Sequence, residues 1–304
     1  MKKSLTAIAV AAALTVPFAA NAGFYGKGHV AVAKTGDAEM MVDTQKKRAN
    51  AIGAKGSVDT TLMDFKAVYK AEIGLNGDNG SFFERDTNIG LSSKTLGTVR
   101  AGTISVAYKM SGKMIDPNFT TPFEGRGGLG MMSGQHGGTG DGKGRSTNTV
   151  TYASPKIAGM ATLNAHYNLA EGTENNMGGG LVVATGPAHV FADYMTTTPD
   201  TAWTKFGAKV SMSGVTLGAQ YEMYADSNDS ANDSSGMFVN VAYAMGASSV
   251  NVSYGTAEDS HASWALVGQH KISKTAKIYA GYGSMAPEVG DSEATYGGGM
   301  VVAF

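Results

Sequence analysis

The chain has 304 residues, with 24 Lys and Arg against 25 Asp and Glu, 42 glycines, 7 prolines and no cysteine. So even a charge balance leaves no electrostatic footprint for nucleic acid, and a fold stapled by disulfides is excluded. Glycine stands at about twice its usual share and mean hydropathy is −0.11, an odd combination for an ordinary globular domain.

Residues 1–22 come first. Lys2 and Lys3 precede an apolar stretch from Leu5 to Ala20, interrupted by Pro17 and closed by Ala20-Asn21-Ala22. This predicts a secretory signal peptide cleaved between Ala22 and Gly23. The stretch is too short and wrongly flanked for a spanning helix. Its removal takes two lysines and leaves a net charge of about −3 over residues 23–304. After it, no apolar run approaches the roughly 20 residues such a helix needs.

From there period-two alternation dominates. In "MDFKAVYKAEIGL", Met63, Phe65, Ala67, Tyr69, Ala71, Ile73 and Leu75 share one face, and Asp64, Lys66, Val68, Lys70, Glu72 and Gly74 the other. An amphipathic helix needs spacings of three and four instead. The rhythm recurs where Val215, Leu217, Ala219, Tyr221 and Met223 oppose Thr216, Gly218, Gln220 and Glu222. It predicts strands at 24–34, 48–58, 63–75, 85–91, 97–104, 148–154, 160–169, 178–184, 188–196, 203–211, 215–224, 236–245, 247–256, 262–271, 276–284 and 294–304. The connections between them alternate short and long, and the longest is 105–147.

Short turns on one rim, long loops on the other and an even strand number describe an all-β, 16-stranded antiparallel transmembrane β-barrel. A soluble sandwich has no reason to segregate its loops this way. Tyr167, Tyr194, Tyr221, Tyr254 and Tyr282 each stand near a strand end that leads into a long loop, all on the apolar parity, as in an interfacial aromatic girdle. The last segment, "ATYGGGMVVAF", then reads as the closing strand, with Tyr296, Met300, Val302 and Phe304 toward lipid. It must pair with "FYGKGHVAVAK", because an open edge in a bilayer leaves backbone groups unsatisfied.

Several stretches resemble the general porins of Gram-negative bacteria, in particular the neisserial and β-proteobacterial type: "NAIGAKG" from Asn50, "RDTNIGLSSKTLGTVRAG" from Arg85, "RSTNTVTYASPKIAGM" from Arg145, and the terminal Phe304. The resemblance implies a homotrimer of sixteen-stranded barrels in the outer membrane, in contact with its lipid and lipopolysaccharide. It also implies passive diffusion of small hydrophilic solutes and ions. Phe304 would be the signal read by the barrel-assembly machinery. The third loop, 105–147, would fold into the lumen as a constriction, with Asp116 and Glu124 facing a basic wall. Of the wall positions that match, Lys55 and Arg100 are basic and lumen-facing by parity, whereas Ala51 and Thr103 replace arginines of the family pattern. Arg85 faces outward by parity unless a bulge intervenes.

Other motifs carry less. Gly137, Gly142 and Lys143 approach a phosphate-binding loop, but Gly144 stands where Ser or Thr would hold magnesium, and no strand leads into it. "DSNDSANDSSG", from Asp226, lacks the glycine and late glutamate of a calcium loop. The six histidines have no metal-ligand spacing, and no cofactor or metal is expected. The reading is therefore a water-filled diffusion channel with no chemical step. Its constriction is expected from Asp116, Glu124, Lys55, Lys66, Lys70, Arg100 and Lys209, and its charge selectivity is expected to be weak and slightly cationic. An outer-membrane barrel lipase or protease and a secreted soluble β-protein are the alternatives.

Overall fold

The computed structural model describes residues 23–43, 50–77, 79–126, 129–136, 144–169, 176–257, 262–285 and 292–304. The expected signal segment lies outside them. The described elements are β1 (Gly23–Thr35), β2 (Met41–Asp43), β3 (Ala51–Asp59), β4 (Lys66–Leu75), β5 (Phe82–Ser93), β6 (Gly97–Ile104), a helix α1 (Ala107–Ile115), β7 (Ser146–Ala153), β8 (Ala161–Asn168), β9 (Met177–Thr185), β10 (Ala188–Thr196), β11 (Thr201–Met212), β12 (Val215–Asp226), β13 (Ser234–Met245), β14 (Ser248–Thr256), β15 (Ser263–Lys271), β16 (Ala276–Met285) and β17 (Glu293–Ala303).

Each strand from β3 onward pairs antiparallel with the next, and β17 pairs with β1 from Lys27↔Ala303 to Thr35↔Thr295. The sheet therefore closes as a sixteen-stranded barrel, with β2 as an additional short strand. Gly26 N donates to Phe304 O at 2.9 Å and Phe304 N to Gly26 O at 3.1 Å, so the terminal residue completes the seam. Closure leaves no edge to satisfy.

Side chains are distributed inside-out relative to a protein in water. On β12, Leu217, Tyr221 and Met223 are exposed, while Gln220 and Glu222 are buried. Tyr167, Tyr194, Tyr254, Tyr282, Tyr296 and Met300 are exposed on the same outer face. An apolar exterior over the whole wall is a lipid-facing surface.

Two details depart from simple alternation. The second strand is not one piece from residue 48. β2 pairs with Ala31–Ala33 and β3 with Gly23–Lys27 of β1, so eight steps from Asp43 to Ala51 oppose four on β1. In that break His29 N donates to the side chain of Asn50, and His29 Nε2 meets Tyr279 Oη at 2.7 Å. Between β4 and β5 the register shifts, so that Arg85 and Asp86 together oppose Glu72. This bulge turns Arg85 inward, where it pairs with Glu72.

Candidate functional site

The inner wall is built first by that bulge. An extra residue on one strand aims two successive side chains to the same side, and here both are charged. Glu72 accepts from Tyr25 Oη at 2.7 Å and pairs with Arg85, while Lys70 lies 3.5 Å from Glu72 and also pairs with Asp86. Asp86 takes two further donors, Ser105 Oγ at 2.9 Å and Arg145 Nε at 2.7 Å. One carboxylate thus ties the start of the third loop to its end.

The loop itself contains α1, which the strand periodicity does not reveal. Its Tyr108, Ser111, Gly112 and Ile115 are buried. The helix stops at Asp116 (φ −91, ψ 103) because Pro117 follows and disfavours helical geometry in the residue before it. Asp116 is 4 % exposed and accepts from the amides of Asn118 (2.9 Å) and Gly125 (3.0 Å). Burial pushes its carboxyl up to about 6, against the pull of Arg126 and those two amides. Lys109 donates to Gly144 O at 3.0 Å; burial first, then the charges of Arg145 and Arg126, bring its ammonium down to about 7.

Residues of this loop bond to inward-facing side chains far along the chain. Glu222, 4 % exposed, accepts from Tyr108 Oη (3.0 Å), Ser133 Oγ (2.9 Å), Ser133 N (3.1 Å) and Gln220 Nε2 (2.9 Å). Lys205 donates to Tyr108 O, and Lys209 Nζ to Met114 O at 3.2 Å, a cation on the last turn of the helix. Asn118 Nδ2 reaches Asn251 Oδ1 at 2.8 Å. Ile115, Phe123, Leu129, Met131 and Met132 pack with Phe191, Phe238, Val267 and Tyr279 in one buried cluster. The inner face, expected to be wet throughout, is therefore partly apolar where the loop covers it.

The expected constriction residues do not all meet. Lys70 lies in the bulge network, and Arg100 Nη1 donates to Asn88 Oδ1 at 2.9 Å on the same wall. Lys55 sits over the Tyr25 ring at 5.2 Å. Lys66 is at the short-turn rim, paired with Asp59 at 2.8 Å. Lys209 and Asp116 hold the loop in place, and Glu124 accepts from Thr120 N at 2.6 Å and lies 3.5 Å from Arg126 Nη2. Nothing in the strand alternation singles out Arg145, Asp86, Tyr108 or Lys205. Glu72 and Glu222 were visible as polar-face residues, but not as hydrogen-bond hubs. Gly137, Gly142 and Lys143 lie outside the described residues. Among the described residues no group of His, Asp or Glu is arranged to hold a metal ion.

A model of the Gram-negative porin family matches residues 6–286. No curated protein sequence matches the chain. Similar solved structures include an anion-selective porin from Comamonas acidovorans, 19 % identical, covering 93 % of this chain and 99 % of its own, with a TM-score of 0.77. A Salmonella typhi OmpF complex with daunomycin is 17 % identical over 93 % and 97 % with a TM-score of 0.73. Vibrio cholerae OmpT in a trimer form is 14 % identical over 93 % and 99 % with a TM-score of 0.70. With the closed barrel, the lipid-facing exterior and the family match in agreement, the chain belongs to the Gram-negative porins and is an outer-membrane channel protein.

Proposed function

We propose that the channel passes small hydrophilic solutes by diffusion, without a chemical step, and that it prefers anions weakly. The observation that carries this sign is which charges are already matched. Glu72, Asp86 and Glu124 are ion-paired, and Glu222 is saturated by hydrogen bonds. Lys27, Lys55, Lys113 and Lys277 have no carboxylate in ion-pair contact among the described residues. Asp193 is a buried carboxylate with no ion pair among the described residues, but the four ammonium groups outnumber it, and a lumen with an excess of unmatched ammonium groups favours anions, which reverses the slight cation preference expected from the sequence. The likeness to a porin described as anion-selective points the same way.

The working assembly in this reading is a homotrimer in a bilayer with lipopolysaccharide. Residues 1–22 are removed on export, and Phe304 serves the assembly machinery. Reversal potential across a KCl gradient in planar bilayers tests the channel and its sign together. A small anion-directed potential is expected; a strong cation preference refutes the proposed selectivity. A barrel enzyme would instead lose a hydrolytic activity on a single Ser or His change and conduct little.

A further inference from the structure

We propose that the lumen-facing side of α1 is a contact surface for the aromatic ring of uncharged solutes in transit. This rests on the channel reading above and deepens it by one solute class. α1 packs on β9 to β12 from inside the barrel, and the inward-facing Lys205 and Lys209 bond its carbonyls. Tyr108, Ser111, Gly112 and Ile115 take the wall side. Met110 and Met114, one turn apart, are left on the other side, Met110 46 % exposed and Met114 half-buried. Phe119, also half-buried, borders them through Lys113, whose Nζ is 5.3 Å from the ring centre. Lys113 lies within electrostatic reach of Lys70, Arg85 and Asp86, so this side of the helix looks across the lumen at the bulge of β4 and β5.

Apolar surface turned to water gains when something covers it. Lipid and a second copy of the chain cannot reach this one, because the barrel closes around it. A solute inside the channel can. The charges of the loop are withdrawn from the surface. Asp116 and Lys109 are buried, Glu124 is committed to the Thr120 amide and Arg126, and of the two lysines of α1 only Lys113 is exposed. The complementary occupant is therefore uncharged where it meets the helix. Met114 also packs against the buried cluster of Ile115 and Phe123, so the surface is continuous with the packing that docks the loop. A thioether is polarizable and adaptable, and its sulfur contacts aromatic rings favourably. An aliphatic group gains burial of area alone. On the facing wall Lys55 and Lys70 supply donors for hydroxyl groups, so a solute with a ring on one side and hydroxyls on the other suits both walls. Such contacts stay weak enough for release, which conduction requires.

The full chain is reconstituted in planar bilayers, and chloride current is recorded while phenyl β-glucoside or methyl β-glucoside is titrated in. Both are uncharged, and they differ only in phenyl against methyl. The phenyl compound is expected to reduce the current saturably, with a half-blocking concentration at least about threefold below that of the methyl compound. Met110→Ser should raise that concentration at least about threefold. Met110→Leu should retain the block, because the surface stays apolar at similar volume. Lys113→Gln should leave it unchanged, which separates ring contact from attraction of charge. Met110 points away from the docked side of the helix, and heat-dependent gel migration verifies folding of each variant. Normal chloride current with no block, with equal block by the two glucosides, or with block indifferent to Met110→Ser overturns the contact surface alone. Block lost in Lys113→Gln but kept in Met110→Ser overturns it as well. Absence of chloride current overturns the channel reading and the contact surface with it.

Discussion

Replacing Glu222 with Ala should undock the third loop without opening the barrel. The carboxylate accepts three hydrogen bonds from the loop, from Tyr108 Oη, Ser133 Oγ and Ser133 N, at 2.9 to 3.1 Å. Hydrogen bonds to a charged group contribute about 1.5–3 kcal/mol each and do not add fully. Lys205, 1 % exposed, also loses a countercharge, and breaking a buried charge arrangement costs about 3–5 kcal/mol. A loss of about 4 kcal/mol is the working figure from these two ranges, or between 10² and 10³ in the docking equilibrium at about 1.4 kcal/mol per decade. The apolar cluster of Phe123, Leu129 and Met131 remains, so the loop loosens and is not expelled. The ladders of β12 with β11 and β13 are backbone pairings and stay intact. Hydrogen exchange of amides in α1 should accelerate by at least about 100-fold, with noisier single-channel current and unchanged heat-dependent gel migration. Unchanged protection of α1 in a folded variant refutes the claim that Glu222 pins the loop.

Three more outcomes follow from particular residues. Lys109 is brought down to about 7, so it is charged below that pH and neutral above it. The reversal potential should shift toward anions as pH falls from about 8 to 6, and Lys109→Met should remove the part of that shift centred near 7, leaving the smaller part from Asp116, whose carboxyl is pushed up to about 6. The accompanying stability runs the same way in sign: a lowered lysine favours the docked loop at high pH, and that contribution is lost as pH falls from the ordinary lysine range to about 7. Gly214→Val places a β-branched residue at φ 84, beside Ser213 at φ 51, in the turn joining β11 and β12. A cost of about 1–2 kcal/mol is expected, read as a lower midpoint in denaturant refolding. Phe304→Ser keeps the backbone bonds to Gly26 but removes the ring that lies over it, since a Cβ added at Gly26 would come within 2.2 Å of that ring. The yield of heat-modifiable barrel should fall several-fold in cells.

The exterior was legible because lipid imposes a rule that acts residue by residue. A side chain on the outer parity must be apolar whatever its neighbours are, so Tyr167, Leu217 and Met300 announce their face locally. Strand ends for β6 and β10 fall where the alternation places them. The interior obeys no such local rule. Glu222 and Lys66 look alike in sequence, each a charge on the inner parity. One is buried under a loop whose Tyr108 lies 114 residues earlier in the chain, and the other stands at the rim beside Asp59. Arg85 shows the same limit from another side. Its parity is reversed by one extra residue in β5, a feature of pairing with β4 that neither strand carries alone.

The glycine content joins these two regimes. On the inner wall, several strand glycines lie under the third loop. A Cβ added at Gly255 would fall 2.1 Å from the Met131 carbonyl oxygen, and one at Gly283 would fall 2.7 Å from Leu129 Cδ1. Strand interiors ordinarily avoid glycine, which weakens them. Here the missing side chains let the loop backbone and its apolar residues approach the wall closely enough to bury Phe123 and Leu129 to 0 % exposure. The composition that looked odd for a globular domain is in part the floor on which the third loop rests. A side chain at Gly255 should displace the Met131 segment while leaving the outer face untouched, so the placement of the third loop depends on residues that contribute no polar group to it.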